Sequence, residues 1–123
     1  MNNDSYLVAS HETSNTNHQT LKIRALNDAL RRSGNGGKVL ITHGIAAQEP
    51  TFAKAVLEAV QKFDNFSDGS DIWAEHDFAS LVVMHQRVLW KIYYDRAGLH
   101  HSADPSSRTV TLRVLTIMLA EEY

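Results

Sequence analysis

Cysteine is absent from this chain of 123 residues, and proline occurs only twice. Without cysteine the chain has no disulfide, no thiolate nucleophile and no cysteine-ligated zinc, so packing alone must stabilise the fold. This composition suits a reducing compartment, and we expect a cytoplasmic protein. No run reaches the roughly 18 apolar residues that span a bilayer, and the start of the chain lacks the basic and apolar segments of a signal peptide. We therefore expect no membrane association.

A large excess of charge of either sign is also missing, because the formal net charge is only -2. This balance excludes a broad basic surface, so we expect no direct binding of nucleic acid. With 43% apolar residues, the chain can bury one core and has room for a single domain. Residues 1–19 are polar and offer only Tyr6, Leu7 and Val8 for burial, which predicts a flexible tail before a domain of residues 20–123.

Apolar residues at helical spacing predict three helices. The first begins at Thr20 and ends at the glycine-rich run of residues 33–37, and its outward face is basic. The second carries Pro50 in its first turn. The third is announced by Asp104-Pro105 and continues to the end of the chain, with apolar residues around so much of its circumference that it should be the central helix. The basic face of the first helix consists of Lys22, Arg24, Arg31 and Arg32.

Segments rich in β-branched and aromatic residues predict a small sheet. Lys38 to His43 forms one short strand. Residues 78–95, FASLVVMHQRVLWKIYYD, contain two strands around His85-Gln86, and this pair predicts a loop longer than two residues because neither favours a positive φ. The order helix, strand, helix, strand, strand, helix indicates an α+β fold, in which an antiparallel or mixed sheet of about three strands packs against about three helices.

The most unusual segment is DNFSDGSDIWAEHDF, residues 64–78, which has five carboxylates, one histidine and no lysine or arginine. It partly matches an EF-hand calcium loop. The matching positions are Asp64, Asp68, Gly69 and Glu75. Position 3 of that loop is Phe66, which has no side-chain oxygen, so we expect no calcium site. His76, His100 and His101 lack the spacing of a zinc or manganese site, and we expect no metal or cofactor.

Glu75-His76-Asp77 suggests acid–base chemistry, because a carboxylate can orient a histidine as a general base. Adjacent strand residues point to opposite faces, so His76 would need a partner from elsewhere in the chain. Tyr94 or Asp95 would complete a small hydrolase or transferase. The alternative is a structural, hydrogen-bonded histidine at the start of a strand, and we lean away from an enzyme because no serine elbow, phosphate loop or helical zinc motif is present.

The same segment also fits a surface that recognises a basic protein, because clustered carboxylates steer cationic partners and an exposed tryptophan anchors an interface. The alternative is a solvated loop whose aromatic residues pack inward. The candidate partner-binding residues are Asp64, Asp68, Asp71, Trp73 and Glu75. The sequence leaves a homo-oligomer open and does not identify the partner.

Three segments resemble one known family: IRALNDALRRSGNGGKVLITHGIAA, DIWAEHDFASL followed by RVLWKIYYD, and RVLTIMLAEEY. They are similar to a family of small proteins, mostly from alphaproteobacteria, catalogued as domain of unknown function family 3768. The resemblance runs from residue 22 to the C-terminus and implies no assigned activity. Since relatives occur on plasmids and integrative elements near antirestriction genes, it implies a non-enzymatic accessory of a mobile element that inhibits bacterial defence, of the anti-CRISPR or antirestriction kind. The matching positions are 75–78, 90–95 and 113–123.

Overall fold

The computed structural model describes residues 17–67, 69, 71, 73–96, 103–108 and 111–123. Within these residues the chain forms a four-stranded mixed sheet and three α-helices, which confirms the predicted α+β class. The helices are α1 (His18–Ser33), α2 (His43–Ala46) and α3 (Pro50–Lys62); the strands are β1 (Lys38–Ile41), β2 (Phe78–Val83), β3 (Gln86–Arg96) and β4 (Thr111–Leu119); a 3-10 turn (Ala120–Glu122) follows.

The strand order is β1-β4-β3-β2, so β4 and β3 are central. β1 runs parallel to β4, and the other pairs are antiparallel. One face of the sheet, here called the helix-covered face, packs against the helices in a continuous apolar core. Side chains alternate between the two faces of a strand, so Leu40, Val82 and Tyr93 belong to the opposite, open face, where each is exposed. The core residues of the helix-covered face include Leu30, Val56, Trp90, Ile92, Leu115 and Ile117.

The predicted C-terminal helix is wrong, because residues 111–119 form β4 at the centre of the sheet. A central strand buries apolar residues on both faces, and such a run cannot be told from a buried helix by periodicity alone. The Asp104 side chain, which seemed to cap a helix, accepts hydrogen bonds from the Ser106 N–H and hydroxyl at 3.0 and 2.7 Å and so stabilises a turn. The sheet of the described residues therefore has four strands, against the three expected.

The boundaries at the start of the fold also differ from the prediction. α1 begins at His18, two residues before Thr20, because the Asn17 side chain accepts a hydrogen bond from the Thr20 N–H at 2.9 Å and caps the helix. Gly34, at a φ of 79°, ends it. β1 stops at Ile41, where the chain turns into α2. Residues 1–16 of the predicted tail lie outside the described residues.

The β2–β3 connection is a two-residue turn at Met84 and His85, and the prediction of a longer loop around His85-Gln86 is wrong. Both turn residues have a positive φ, 48° and 70°, and Val83 pairs with Gln86 directly beyond them. A two-residue hairpin turn of this type requires positive φ at both positions. The cross-strand pairing of β2 and β3 therefore outweighs the local preferences of methionine and histidine.

Replacing Met84-His85 by Asn-Gly should stabilise the protein, because the left-handed conformation costs ordinary residues roughly 1–2 kcal/mol and costs Asn and Gly much less. We expect the free energy of unfolding in urea to rise by about 1 kcal/mol. The matched control is Met84→Val, a β-branched residue at the same positive φ, which should destabilise. Equal stability of all three proteins would contradict this account of the turn.

Candidate functional site

Four polar residues of α1 lie on one stripe at spacing i, i+3, i+4 and i+7, here called the polar stripe. They are Arg24, Asn27, Asp28 and Arg31. Asn27 is 0% exposed and Arg31 is 1% exposed, although the sequence placed Arg31 on an outward basic face. That prediction is wrong because the Arg31 guanidinium donates to the carbonyls of Val60 and Phe63, at 3.0 and 2.8 Å, where α3 ends.

The polar stripe binds three consecutive residues of the segment before β2. Asp71 and residues 73–77 are here called the anchored loop. Arg24 Nε donates to the Ala74 carbonyl at 2.8 Å, and Asn27 Nδ2 donates to the Glu75 carbonyl at 2.9 Å. Asp28 contacts the ring of His76, the next residue along the loop. Within this loop Ala74 has a φ of 59°, so helix contacts hold a strained backbone in place.

His76 lies between two carboxylates. Its Nδ1 is 2.9 Å from Asp28 Oδ1 and its Nε2 is 3.6 Å from Asp71 Oδ2. The ring stacks on Phe66 with centroids 3.7 Å apart and an interplanar angle of 3°, and the His76 N–H donates to Asp71 Oδ1 at 3.1 Å. His76 also has a positive φ of 55°, so it precedes the strand and does not belong to it. Every polar atom of the ring already faces a partner inside the protein.

The Arg31 guanidinium is the buried cation of this cluster. Its Nη2 donates to Asp28 Oδ1 at 3.0 Å, and its centre lies 5.4 Å from the Phe66 ring and 5.3 Å from the Trp90 ring. Burial lowers the pKa of Arg31, but an arginine remains charged. The shared Asp28 carboxylate and the two aromatic faces stabilise this charge, since a buried charge needs partners.

A second buried group centres on Asn27 and reaches the sheet. Its side-chain oxygen accepts from Arg113 Nε at 2.6 Å, and its Nδ2 donates to the Tyr94 hydroxyl at 2.8 Å. Arg113 lies over the Tyr94 ring at 5.2 Å and also donates to the Pro105 carbonyl. Burial raises the pKa of Tyr94 to about 12, so the phenol stays protonated at neutral pH and is a poor general base.

Glu75 and Asp77 flank His76 and titrate differently from ordinary carboxyl groups. Burial raises the pKa of both, and each is raised further by the Asp71 carboxylate; Glu75 is also raised by Asp77. Asp77 reaches β3 through its backbone, because its carbonyl accepts from the Ile92 N–H at 2.8 Å. These two carboxylates therefore carry an electrostatic cost when they ionise in the folded protein.

The predicted partner-binding residues differ in their exposure to solvent. Asp64 and Trp73 are exposed, and Trp73 has 73% of its surface accessible. Asp71 is buried against His76, and Glu75 is half-buried. Asp68 lies outside the described residues.

The candidate catalytic residues are not brought together. His76 contacts the carboxylates of α1 and the anchored loop, whereas Tyr94 contacts Asn27 and Arg113. Asp95 follows Tyr94 on β3 and therefore belongs to the open face of the sheet. His100 and His101 lie outside the described residues. In the part of the chain that the structure describes, no three histidine, aspartate or glutamate residues are arranged to hold a metal ion.

Sequence reasoning assigned no role to Asn27, Asp28 or Arg113. A usable signal was present, because Asn27 interrupts the apolar stripe between Ile23 and Leu30 at helical spacing. A polar residue at a position that the period marks as buried needs buried partners.

None of the helices in the described ranges is long and apolar enough to cross a membrane.

Asn27→Ala should destabilise the protein by about 3 kcal/mol, because it removes the partner of the buried Arg113 Nε and of the Glu75 carbonyl, and each such buried polar group costs roughly 1–3 kcal/mol. Urea unfolding followed by circular dichroism measures this loss. Gln19→Ala is the control on the same helix, since Gln19 is exposed and such changes stay within about 0.5 kcal/mol. A loss no larger than that of the control would contradict the network.

The double variant Glu75→Gln with Asp77→Asn should flatten the pH dependence of stability. Because the folded-state pKa values are raised above 4.5 and 3.8, the folded protein binds more protons than the unfolded chain just above these values, and stability falls as pH rises through that window. The wild type should lose more stability than the variant from about pH 4 upward. Glu58→Gln on α3 removes an exposed carboxylate and should leave the profile unchanged; an identical profile for the double variant would contradict the assignment.

Comparisons with known proteins place the chain in a family. No curated protein and no solved structure matches it. Residues 41–122 match the family model described as Protein of unknown function (DUF3768). The matched segment includes all of the anchored loop and the three C-terminal strands of the sheet, and it begins after α1. The match covers more than half of the sequence, and the chain therefore belongs to the DUF3768 family.

Proposed function

We propose that this chain is a non-enzymatic protein-binding accessory of a mobile genetic element, which inhibits a bacterial defence system of the anti-CRISPR or antirestriction kind by direct contact. The observation that supports binding is the exposed Trp73 on the anchored loop. The sequence resemblance to proteins encoded near antirestriction genes supports the choice of partner class. Among the described residues of the predicted partner-binding set, Trp73 and Asp64 are exposed.

Hydrogen bonds order the backbone of the anchored loop next to Trp73. Ala74 N–H donates to the Asp71 carbonyl at 2.9 Å, which closes a turn around Trp73, and Arg24 binds the Ala74 carbonyl directly after it. A large side chain on a pre-ordered backbone loses little conformational entropy on binding. Tryptophan is enriched among the residues that contribute most to protein interfaces. This combination favours a recognition role for the loop.

The contacts of the polar residues give less support to a hydrolase or transferase. A substrate would have to displace Asp28 or Asp71 to reach a ring nitrogen of His76. Tyr94 is bound to Asn27, and its raised pKa disfavours proton abstraction. A histidine whose Nδ1 is bound to Asp28 and whose ring is stacked on Phe66 is typical of a residue that stabilises a fold. We therefore assign the polar stripe and His76 the role of positioning the anchored loop.

Trp73→Ala should abolish inhibition of the target nuclease while leaving the fold intact. The test uses purified restriction enzymes and RNA-guided nuclease complexes, with the wild-type protein added to DNA cleavage assays and direct binding measured by calorimetry. We expect binding to weaken at least tenfold, since an anchoring tryptophan contributes about 2 kcal/mol or more. The matched control is Leu40→Ala on β1, which truncates another exposed apolar side chain, at 50% exposure, on the open face of the sheet.

Three results would count against the proposal. Cleavage unaffected by the wild type across the panel of nucleases would remove the anti-defence role. Equal inhibition by the Trp73→Ala and wild-type proteins would remove the loop from the interface. Catalytic turnover that disappears in His76→Ala, with an unchanged melting temperature, would favour the enzyme instead.

A further inference from the structure

We propose that β2 pairs across its free edge with β2 of a second copy of this chain, so that two sheets join into one. This inference concerns the edge of the sheet, and it does not depend on Trp73 or on a defence nuclease. Its occupant is a second copy because the residues along the edge complement themselves when the strand is turned by a two-fold rotation.

The two edges of the sheet are protected to different degrees. β1 is only four residues long and carries Lys38, and short, lysine-bearing edge strands resist unwanted pairing. β2 has six residues, FASLVV, with no charge and no proline. An exposed, apolar and regular edge strand is a template for another strand. β2 is therefore the edge at which a further strand would add.

The hydrogen-bond phase shows which residues of β2 face outward. The Ile92 N–H donates to the Asp77 carbonyl, and these residues continue the register in which Phe78 is opposite Lys91. Hydrogen-bonded and non-bonded pairs alternate along antiparallel strands, so the N–H and C=O groups of Phe78, Ser80 and Val82 point away from β3. Within the described ranges, no backbone hydrogen bond outside the sheet involves these three residues.

A two-fold axis at Ser80 pairs all three outward residues at once. Ser80 then lies opposite the second copy's Ser80, and Phe78 lies opposite the second copy's Val82, with the same contact repeated on the other side of the axis. Each hydrogen-bonded pair exchanges two bonds, which gives about six bonds between the copies. No pair places like charges opposite each other, a contact that would destabilise the dimer.

The side chains of this register are also complementary. Phe78 and Val82 both belong to the open face, because they alternate with Ala79 and Leu81 of the helix-covered face. Aromatic residues opposite β-branched residues are favourable cross-strand pairs. Val82 is 57% exposed in the single chain, so pairing would bury apolar surface that water now contacts.

The edge is accessible to a strand. A groove of about 440 Å³ lies beside its first half, lined by Phe78, Ala79 and Ser80 on one side and by residues such as Asn65 and Gly69 on the other. Ser80 presents its hydroxyl to Arg87, whose Nη1 donates to it at 2.7 Å. This contact joins two side chains on the open face of the sheet, so it does not use the outward N–H and C=O groups of β2.

Single-cysteine variants test this register directly, because the natural chain has no cysteine. In a hydrogen-bonded antiparallel pair the Cα atoms are about 5.5 Å apart, which lies within disulfide range. Ser80→Cys should therefore form a covalent dimer on oxidation. The matched control is Val82→Cys, whose two copies lie four residues apart in register and should not crosslink. Crosslinking of Val82→Cys but not of Ser80→Cys would overturn the proposed axis.

Sedimentation equilibrium of the unmodified protein tests the dimer without a crosslink. We expect a concentration-dependent dimer that Ser80→Pro abolishes, because proline removes an outward N–H that β3 does not use. Its melting temperature at low concentration should stay close to that of the wild type, and Leu40→Lys at the opposite edge should remain dimeric. A wild-type monomer at every concentration would overturn the proposal, as would a dimer that survives Ser80→Pro.

Discussion

The burial of Arg31 and its neighbours on the polar stripe is the constraint on which the arrangement of the loops depends. A charged guanidinium inside the protein must have partners, and these come from α3, from Asp28 and from two aromatic rings. The same stripe reaches the anchored loop 48 to 50 residues away and, through Asn27, a strand 86 residues away. The polar stripe of α1 therefore joins α3, the anchored loop and β4. Removing a single partner would leave a buried charge or amide unsatisfied, which is far more costly than losing a surface contact.

The sequence predicted those elements whose own residues show a clear hydrophobic period. α1 and α3 could be located because their apolar residues recur with helical period, and the β2–β3 hairpin could be located because its residues alternate. β4 could not be located, since TLRVLTIML has apolar residues on both faces and only its pairing with β1 and β3 distinguishes a strand from a helix. The Met84-His85 turn was hidden for a similar reason, because it adopts a backbone that its residues do not favour.

The candidate site was predictable to a smaller extent. The anchored loop could be singled out from its composition, but the roles of its residues depend on partners on a distant helix. The sequence does not distinguish the buried Asp71 from the exposed Asp64. Their difference follows from the contacts of His76, which lies between Asp28 of α1 and Asp71. The family match begins at Ile41, so in this chain the loop lies inside the matched segment while the helix that positions it lies outside. A fragment restricted to residues 41–122 would lack Arg24, Asn27 and Arg31 and would leave Arg113 without its amide partner.

The parallel pairing of β1 with β4 has a consequence for how the chain folds. β1 follows α1, and β4 is the last strand of the described residues, yet they are neighbours in the sheet, with Lys38 opposite Val114. Closing so long a loop costs chain entropy before any contact repays it, and topologies dominated by distant pairings fold slowly. During synthesis the β2–β3 hairpin can form early because its strands are adjacent, whereas β1 has no strand to pair with in the native sheet until β4 has emerged. The nascent protein would therefore pass through a stage in which the edge of β3 that pairs with β4 is exposed, when folding competes with aggregation and chaperones gain access.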